Sequence, residues 1–368
     1  MKFLYSLIFI LIGGNFLFGG LGINDNITIL LGFCLSISLL LFVYLKKGSI
    51  EIPREFKIYA LFLLFLMLSI IWDQNSGEVG KNFALFLNGG LFFIGFSNLE
   101  RTSVKIFTKI LIILGITYGL LYLIESITSS DLPRKSFTLY LPQTDVHNHL
   151  GDIWAIIILT LGYQLVTHRK WWQIPLILLG IYFLLVSMSR SAYLALFGGA
   201  VYLFYKLKWF DQHKQIFVVL LVLITALFLY AGFFKTTIFS RPYFRQAYYG
   251  IIEYPFGVGI GNFYKISAGR ELVGQEGPNI SSYAHNIVLE VLTGLGIFGV
   301  VFAIWLTLVI KRLLLAKQSP DNTLAGAIFL AITINFFFDF TYVIPTMLWL
   351  WFCFLGLAEI KPDKNSES

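Results

Sequence analysis

Charge is what this sequence lacks most. Only 13% of its 368 residues are Asp, Glu, Lys or Arg, against 57% hydrophobic, and the mean hydropathy is +0.78. A soluble domain of this length would have too little polar surface to cover its core, so that class is excluded. Cysteine is almost absent as well. Cys34 and Cys353 are the only two, and each sits inside an apolar run. A disulfide framework and a cysteine metal cluster are therefore excluded, and both thiols read as packing residues. No internal repeat is visible, which counts against the two-halved architecture of many secondary transporters.

What the chain has instead is one apolar run after another. Each is about 16–25 residues long, close to the roughly 20 that a helix needs to cross the hydrocarbon. They predict an all-α, polytopic membrane protein with about 12 transmembrane helices. The expected spans are near 3–22, 28–45, 58–72, 82–97, 106–124, 151–167, 174–189, 191–207, 215–234, 285–309, 324–341 and 344–359. Residues 1–368 read as a single integral membrane domain, with 3–22 as a retained first helix rather than a cleaved signal.

The basic residues orient these spans. Eighteen of the 27 fall in alternate breaks and at the two ends, among them Lys46, Lys47, Arg101, Lys105, Lys311 and Arg312. Positive charge marks the cytoplasmic side, so both termini are expected there, and the even number of spans agrees. The pI near 9.2 reflects this topology, not a nucleic-acid partner. Two long breaks then face outward, 125–150 and, between the ninth and tenth helices, 235–284. A membrane protein whose substantial loops all face out is expected to work at that surface.

Four stretches carry residues suited to chemistry. In "SMSRSAYLAL" (187–196), Arg190 falls at the outer junction of two helices. It reads either as a forked anion ligand or as an anchor to lipid headgroups. In "FSRPYFRQAYYGIIEYPFGVGIGNFY" (239–264), Arg241 and Arg245 are one helical turn apart, ahead of a run with Gly257, Gly259, Gly261 and Asn262. The glycine run is either a re-entrant turn or a backbone that offers N–H groups to an anion. In "YAHNIVLEVLTGLGIFG" (283–299), His285 opens a helix, as general base or as part of a polar helix start capped by Asn286 or Ser282. In "NFFFDFTY", Asn335 and Asp339 lie one turn apart near the outer end of a helix, and Asp339 reads either as a functional intramembrane carboxylate or as a polar group at the interface with Tyr342.

A fifth stretch, "TDVHNHLGD" (144–152), holds His147 and His149 between Asp145 and Asp152. On a helix the two histidines point about 200° apart, and a metal wants three or four converging ligands. The stretch therefore reads as a polar helix start, with Asp145, Asn148 and Asp152 as caps. Asn148 and His149 are then placed to line the mouth of a site, and no metal site is expected.

In their order, these motifs resemble the O-antigen ligase and O-antigen polymerase superfamily. Its pattern is S-R-[SG]-A, then an arginine ahead of P-x-x-G-x-G-x-[GN]-x-[FY], then H-N-x-x-L-x-x-x-x-x-x-G at a helix start. The likeness covers about residues 148–310. It implies a bacterial inner-membrane enzyme that moves a glycan from undecaprenyl pyrophosphate to an acceptor hydroxyl at the periplasmic face. The acceptor is lipid A–core in ligases and another repeat unit in polymerases; related enzymes glycosylate proteins. The resemblance further implies no cofactor and no metal, Arg190 and Arg241 or Arg245 gripping pyrophosphate, and His285 as general base. Gly259, Asn262 and Asp339 would line the substrate mouth. One departure stands out: Pro242 directly follows Arg241, so either Arg241 or Arg245 is the counterpart of the family arginine. A transporter of similar span count is the reading furthest from this one.

Overall fold

The computed structural model describes residues 25–71, 76–128, 147–234, 242–269 and 280–360. The expected span 3–22 and Arg241 lie outside them. In chain order the helices are α1 (Asp25–Lys47), α2 (Phe56–Leu68), α3 (Ser76–Ser97), α4 (Thr102–Thr128), α5 (His147–His168), α6 (Ile174–Ser187), α7 (Arg190–Lys206), the short α8 (Trp209–Gln212), α9 (Lys214–Phe234), α10 (Pro242–Glu253), α11 (Phe263–Ala268), α12 (Ile287–Leu295), α13 (Val300–Leu315), α14 (Pro320–Phe336) and α15 (Pro345–Ala358). No strand occurs among the described residues. Every expected span from 28–45 onward falls largely on helix. Four stretches are long and apolar enough to cross a bilayer: Asn26–Lys47, Ser76–Ser97, Leu150–His168 and Ile287–Leu315.

The interior is built around α15. All of Pro345–Ala358 is buried, as befits a helix that is apolar all round. Its 14 residues make a rod of only about 21 Å, short of the ~30 Å hydrocarbon. Protein sheathes it on every side, so no lipid dictates its length. It packs against α3 and α14, and α14 in turn packs against α7 and α5. Lipid tails are as apolar as leucine, so close packing must hold these helices together. Gly356 shows how close: a Cβ there would stand 2.8 Å from the Phe93 carbonyl oxygen and 2.9 Å from the Ser97 nitrogen. Aromatic side chains fill the remaining space and place their polar atoms. The Trp351 ring stacks 5.2 Å from Phe329 while its Nε1–H donates to Thr333 Oγ1 at 2.7 Å.

Two ends of the bundle differ in character. At the C-terminal end of α13, Arg312 joins Glu55 and Glu359. Nearby junctions add Lys46 with Glu100, and Arg101 and Lys105 at 3.8 and 3.6 Å from Asp321. The opposite end collects His285, the Ser187–Arg190 turn, the start of α5 and the α14–α15 connection.

Two spans depart from expectation. The span expected at 285–309 is two helices, α12 and α13, joined by a tight turn over Gly296–Gly299, and it runs on to Leu315. The span expected at 324–341 stops at Phe336, where the N–H of Phe337 is shared between the Thr333 and Ile334 carbonyls. Asp339 therefore lies in the connection, not on the helix. Of the two thiols, Cys353 is core as expected, whereas Cys34 is on the outer face of α1.

Candidate active site at one end of the bundle

The turn between α6 and α7 follows from its sequence. α6 ends because Met188 takes a left-handed conformation (φ 48°), and α7 begins because the Ser189 hydroxyl accepts from the Ala192 N–H at 3.3 Å. Arg190 is thereby fixed as the first residue of α7, half-buried. The start of α5 presses against this turn. A Cβ on Gly151 would lie 2.5 Å from Ser187 Oγ and 3.0 Å from Ser189 Cβ. Glycine is thus required in the odd polar stretch at 144–152 for a close approach to the arginine turn. Asn148 and His149 stand in the turn of α5 before it, and their side chains lie outside the described structure. Asp145 does too. Asp152 is not a cap: it sits well inside α5, 2% exposed, facing Asn335. Neither carboxylate oxygen of Asp152 has a hydrogen-bond partner of ordinary geometry, and neither does Asn335 Oδ1.

The connection between α14 and α15 ties this turn to His285. Ser191 Oγ donates to Asp339 Oδ2 at 3.2 Å, and Asp339 Oδ1 accepts from the Phe340 N–H at 2.7 Å. The Phe340 ring then meets the His285 ring edge-on, 4.8 Å between centroids. On its other side His285 lies flat against Tyr243 of α10, at 4.6 Å and 15°. Two aromatic contacts thus define the plane of the imidazole. Asp339 is 4% exposed, behind this layer instead of at its surface.

His285 has a left-handed backbone (φ 53°). For a residue with a side chain that conformation costs about 1–2 kcal/mol and needs support. Support comes from both neighbours. Asn286 caps α12, accepting from Val288 and Leu289 at 2.9 and 3.0 Å, and its Nδ2 donates to the Phe337 carbonyl at 3.1 Å. Ala284 donates its N–H to Glu290 Oε2 at 2.8 Å. The same oxygen accepts from Tyr342 Oη at 3.1 Å, and Oε1 from the Gly261 N–H at 3.3 Å. Glu290, 3% exposed, therefore braces three segments at once.

The glycine-rich run is built for packing, not for cradling an anion. The N–H groups of Val258 and Gly259 donate to the carbonyls of Thr293 and Gly294 at 3.0 and 2.8 Å, and Ile297 donates back to Pro255 at 2.9 Å. Gly257 donates to the Tyr254 carbonyl just ahead of the run, and Asn262 donates within it, to Gly259. This backbone lies so close to the α12–α13 break that a Cβ on Gly257 would stand 2.2 Å from the Gly294 oxygen. Of the two readings of the run, the turn fits this backbone better than the anion cradle, since these N–H groups are used internally. Gly259 is buried and Asn262 is 0% exposed.

The arginines separate. Arg190 belongs to the cluster just described. Arg245 is exposed and lies 5.8 Å from the ring of Tyr249, about 200° round α10 from Tyr243 and so turned away from His285. Among the described residues no three His, Cys, Asp or Glu side chains converge as metal ligands.

An all-helical bundle with spans of this kind is an integral membrane protein. Residues 175–304 match the family model described as O-antigen ligase. That segment, from the start of α6 into α13, carries Arg190, α10, the glycine run and His285, and its match supports the O-antigen ligase and polymerase superfamily. No curated protein matches the chain.

Sequence reading had singled out His285, Arg190 and Asp339. It missed Tyr243 and Phe340, which define the plane of the histidine, and it gave Glu290 no role. Only the fold brings those residues together; the one signal in the sequence was a lone acid in an apolar helix.

Proposed function

We propose that the chain is a ligase-type glycan transferase. It moves a glycan from undecaprenyl pyrophosphate to an acceptor hydroxyl of lipid A–core, at the periplasmic face of the bacterial inner membrane. Both termini are then cytoplasmic. The observation that carries this reading is the meeting, within one superfamily segment, of an arginine turn and an aromatically clamped histidine at the same end of the bundle.

In this reading His285 takes the proton from the acceptor hydroxyl as its oxygen attacks the anomeric carbon. The bond from that carbon to the pyrophosphate oxygen breaks, its electron pair leaves with pyrophosphate, and a single displacement inverts the centre. Negative charge grows on the leaving group, so a fixed guanidinium stabilises the transition state more than the ground state. Arg190 and Arg241 take that role, because Arg245 is turned away from His285. No metal or cofactor is needed in this scheme. Asn148 and His149, at the start of α5, line the approach of donor or acceptor, and Asp339 orders the cluster from behind.

Superfamily membership fits a repeat-unit polymerase or a protein glycosyltransferase equally well. Deleting the gene and resolving the host's lipopolysaccharide on a gel decides. A ligase deletion loses every capped molecule. Core carrying a single repeat would identify a polymerase, and an unchanged ladder would remove both readings in favour of a protein acceptor or another activity.

A further inference from the structure

α10 has two unlike faces. Gln246, Ala247 and Gly250 are buried, and the helix packs against α11 and α12 on that side. The other side is outward and largely aromatic: Tyr248 is 61% exposed and Ile252 63%, with Arg245 and Tyr249 beside them. Beyond the helix, Tyr254 and Phe256 extend the same surface. A contiguous exposed apolar face calls for something to cover it.

The neighbouring surface identifies the cover. The Phe256 ring lies 6.2 Å from that of Phe298, which stacks on Phe65 next to it at 4.7 Å. Phe298 stands at the head of α13, where Ile297, Val300, Ile304 and Leu308 are all outward-facing. Val300, Ile304 and Leu308 follow at four-residue steps and so form one stripe down the helix, with Ile297 in the turn just ahead of it. The stripe belongs to Ile287–Leu315, a stretch long and apolar enough to cross the bilayer, and there an outward aliphatic stripe meets acyl chains. The aromatic face of α10 continues that surface at its end. Tyrosine and arginine suit such a level, because each has an apolar body and a polar tip.

We propose that α10 lies along the bilayer surface as an interfacial helix. Tyr248, Tyr249, Ile252 and Phe256 sit at the boundary between headgroups and acyl chains, and Arg245 reaches the lipid phosphates. The membrane itself is the partner of this face. One consequence is that Tyr243, on the same helix, holds the plane of His285 at a depth the lipid sets. The inference does not depend on glycan transfer, since its readout is depth.

The test uses the full chain with Cys34→Ala, Cys353 being buried. An environment-sensitive fluorophore is attached at Tyr248→Cys or Ile252→Cys, one turn apart and both outside the core, so either site suffices. Leu308→Cys serves as the deep reference. Each protein is reconstituted into phosphatidylethanolamine–phosphatidylglycerol vesicles and quenched by nitroxides at shallow or deep acyl positions, or by aqueous iodide. The expected result at 248 and 252 is at least two-fold stronger quenching by the shallow nitroxide than by either other quencher. Dominant iodide quenching would place the face in water, and dominant deep quenching would place it in the acyl core. Protection from all three would mean that protein covers it. Each of these overturns the proposal.

Discussion

Replacing Glu290 by alanine should loosen the whole His285 end of the bundle. The carboxylate accepts from Ala284, Gly261 and Tyr342, at 2.8, 3.3 and 3.1 Å. Ala284 is 0% exposed and Tyr342 4%, so neither donor finds water when the acceptor goes. A buried donor left without a partner costs about 1–3 kcal/mol, which puts Glu290→Ala at roughly 2–6 kcal/mol from those two alone. Glu290→Gln keeps one oxygen. Placed at the Oε2 position, that oxygen serves both Ala284 and Tyr342, and the new amide then faces only the Gly261 N–H. Its cost should be about 1–3 kcal/mol. The assay is unfolding of the purified protein in detergent, followed by helix signal, with the two variants and wild type side by side. The expected order of stability is wild type, then Gln, then Ala. An alanine variant as stable as wild type would refute the brace, and so would a glutamine variant that is the less stable of the two.

Three further outcomes follow from the geometry. Gly296→Ala should destabilise by about 2–6 kcal/mol in the same unfolding assay, summing backbone strain at φ 57° with the clash of a Cβ placed 2.0 Å from the Pro255 oxygen; a neutral effect would contradict the close pairing of the two glycine runs. Tyr243→Ala should lower the rate of glycan transfer while Tyr243→Phe preserves it, because the ring face and not the hydroxyl meets His285; equal loss in both would show that the hydroxyl is what matters. Asp152→Asn should be at least as stable as wild type, because its amide supplies a donor beside the unpaired Oδ1 of Asn335, whose own Nδ2 donates to Thr341, and removes a buried carboxylate; strong destabilisation would show that the carboxylate has a partner.

Much of the helical layout was legible because lipid imposes a simple rule. A run of some twenty apolar residues closes its own backbone hydrogen bonds as a helix, and polar breaks mark its ends. The rule fails where protein replaces lipid. α14 ends at Phe336, before the hydrophobicity does, because the turn that follows is held by hydrogen bonds from Asn286 to the Phe337 carbonyl and from Ser191 to Asp339, which no local pattern encodes. The same holds at Gly296, where an apolar run continues while the backbone breaks.

The site was legible in its residues and not in their connections. A histidine beside a helix-capping asparagine, and an arginine in a serine turn, are local signals. That Ser191 reaches Asp339, or that Tyr243 lies under His285, depends on contacts between segments up to 148 residues apart. The glycine run left two readings open, a re-entrant turn or a backbone offering N–H groups to an anion. Its spacing does not choose between them, because the partner of the Val258 and Gly259 N–H groups, the carbonyl edge of α12, lies more than thirty residues further on.

The central claim is that His285 and Arg190 act on a lipid-linked glycan. Its most direct test is transfer by purified protein in detergent, from an undecaprenyl-pyrophosphate-linked donor to lipid A–core, followed by the mass shift of the acceptor. The wild-type chain should produce the capped acceptor, and His285→Ala and Arg190→Ala should each abolish it while eluting and unfolding like wild type. Product formation at the wild-type rate by either folded variant would contradict the assignment.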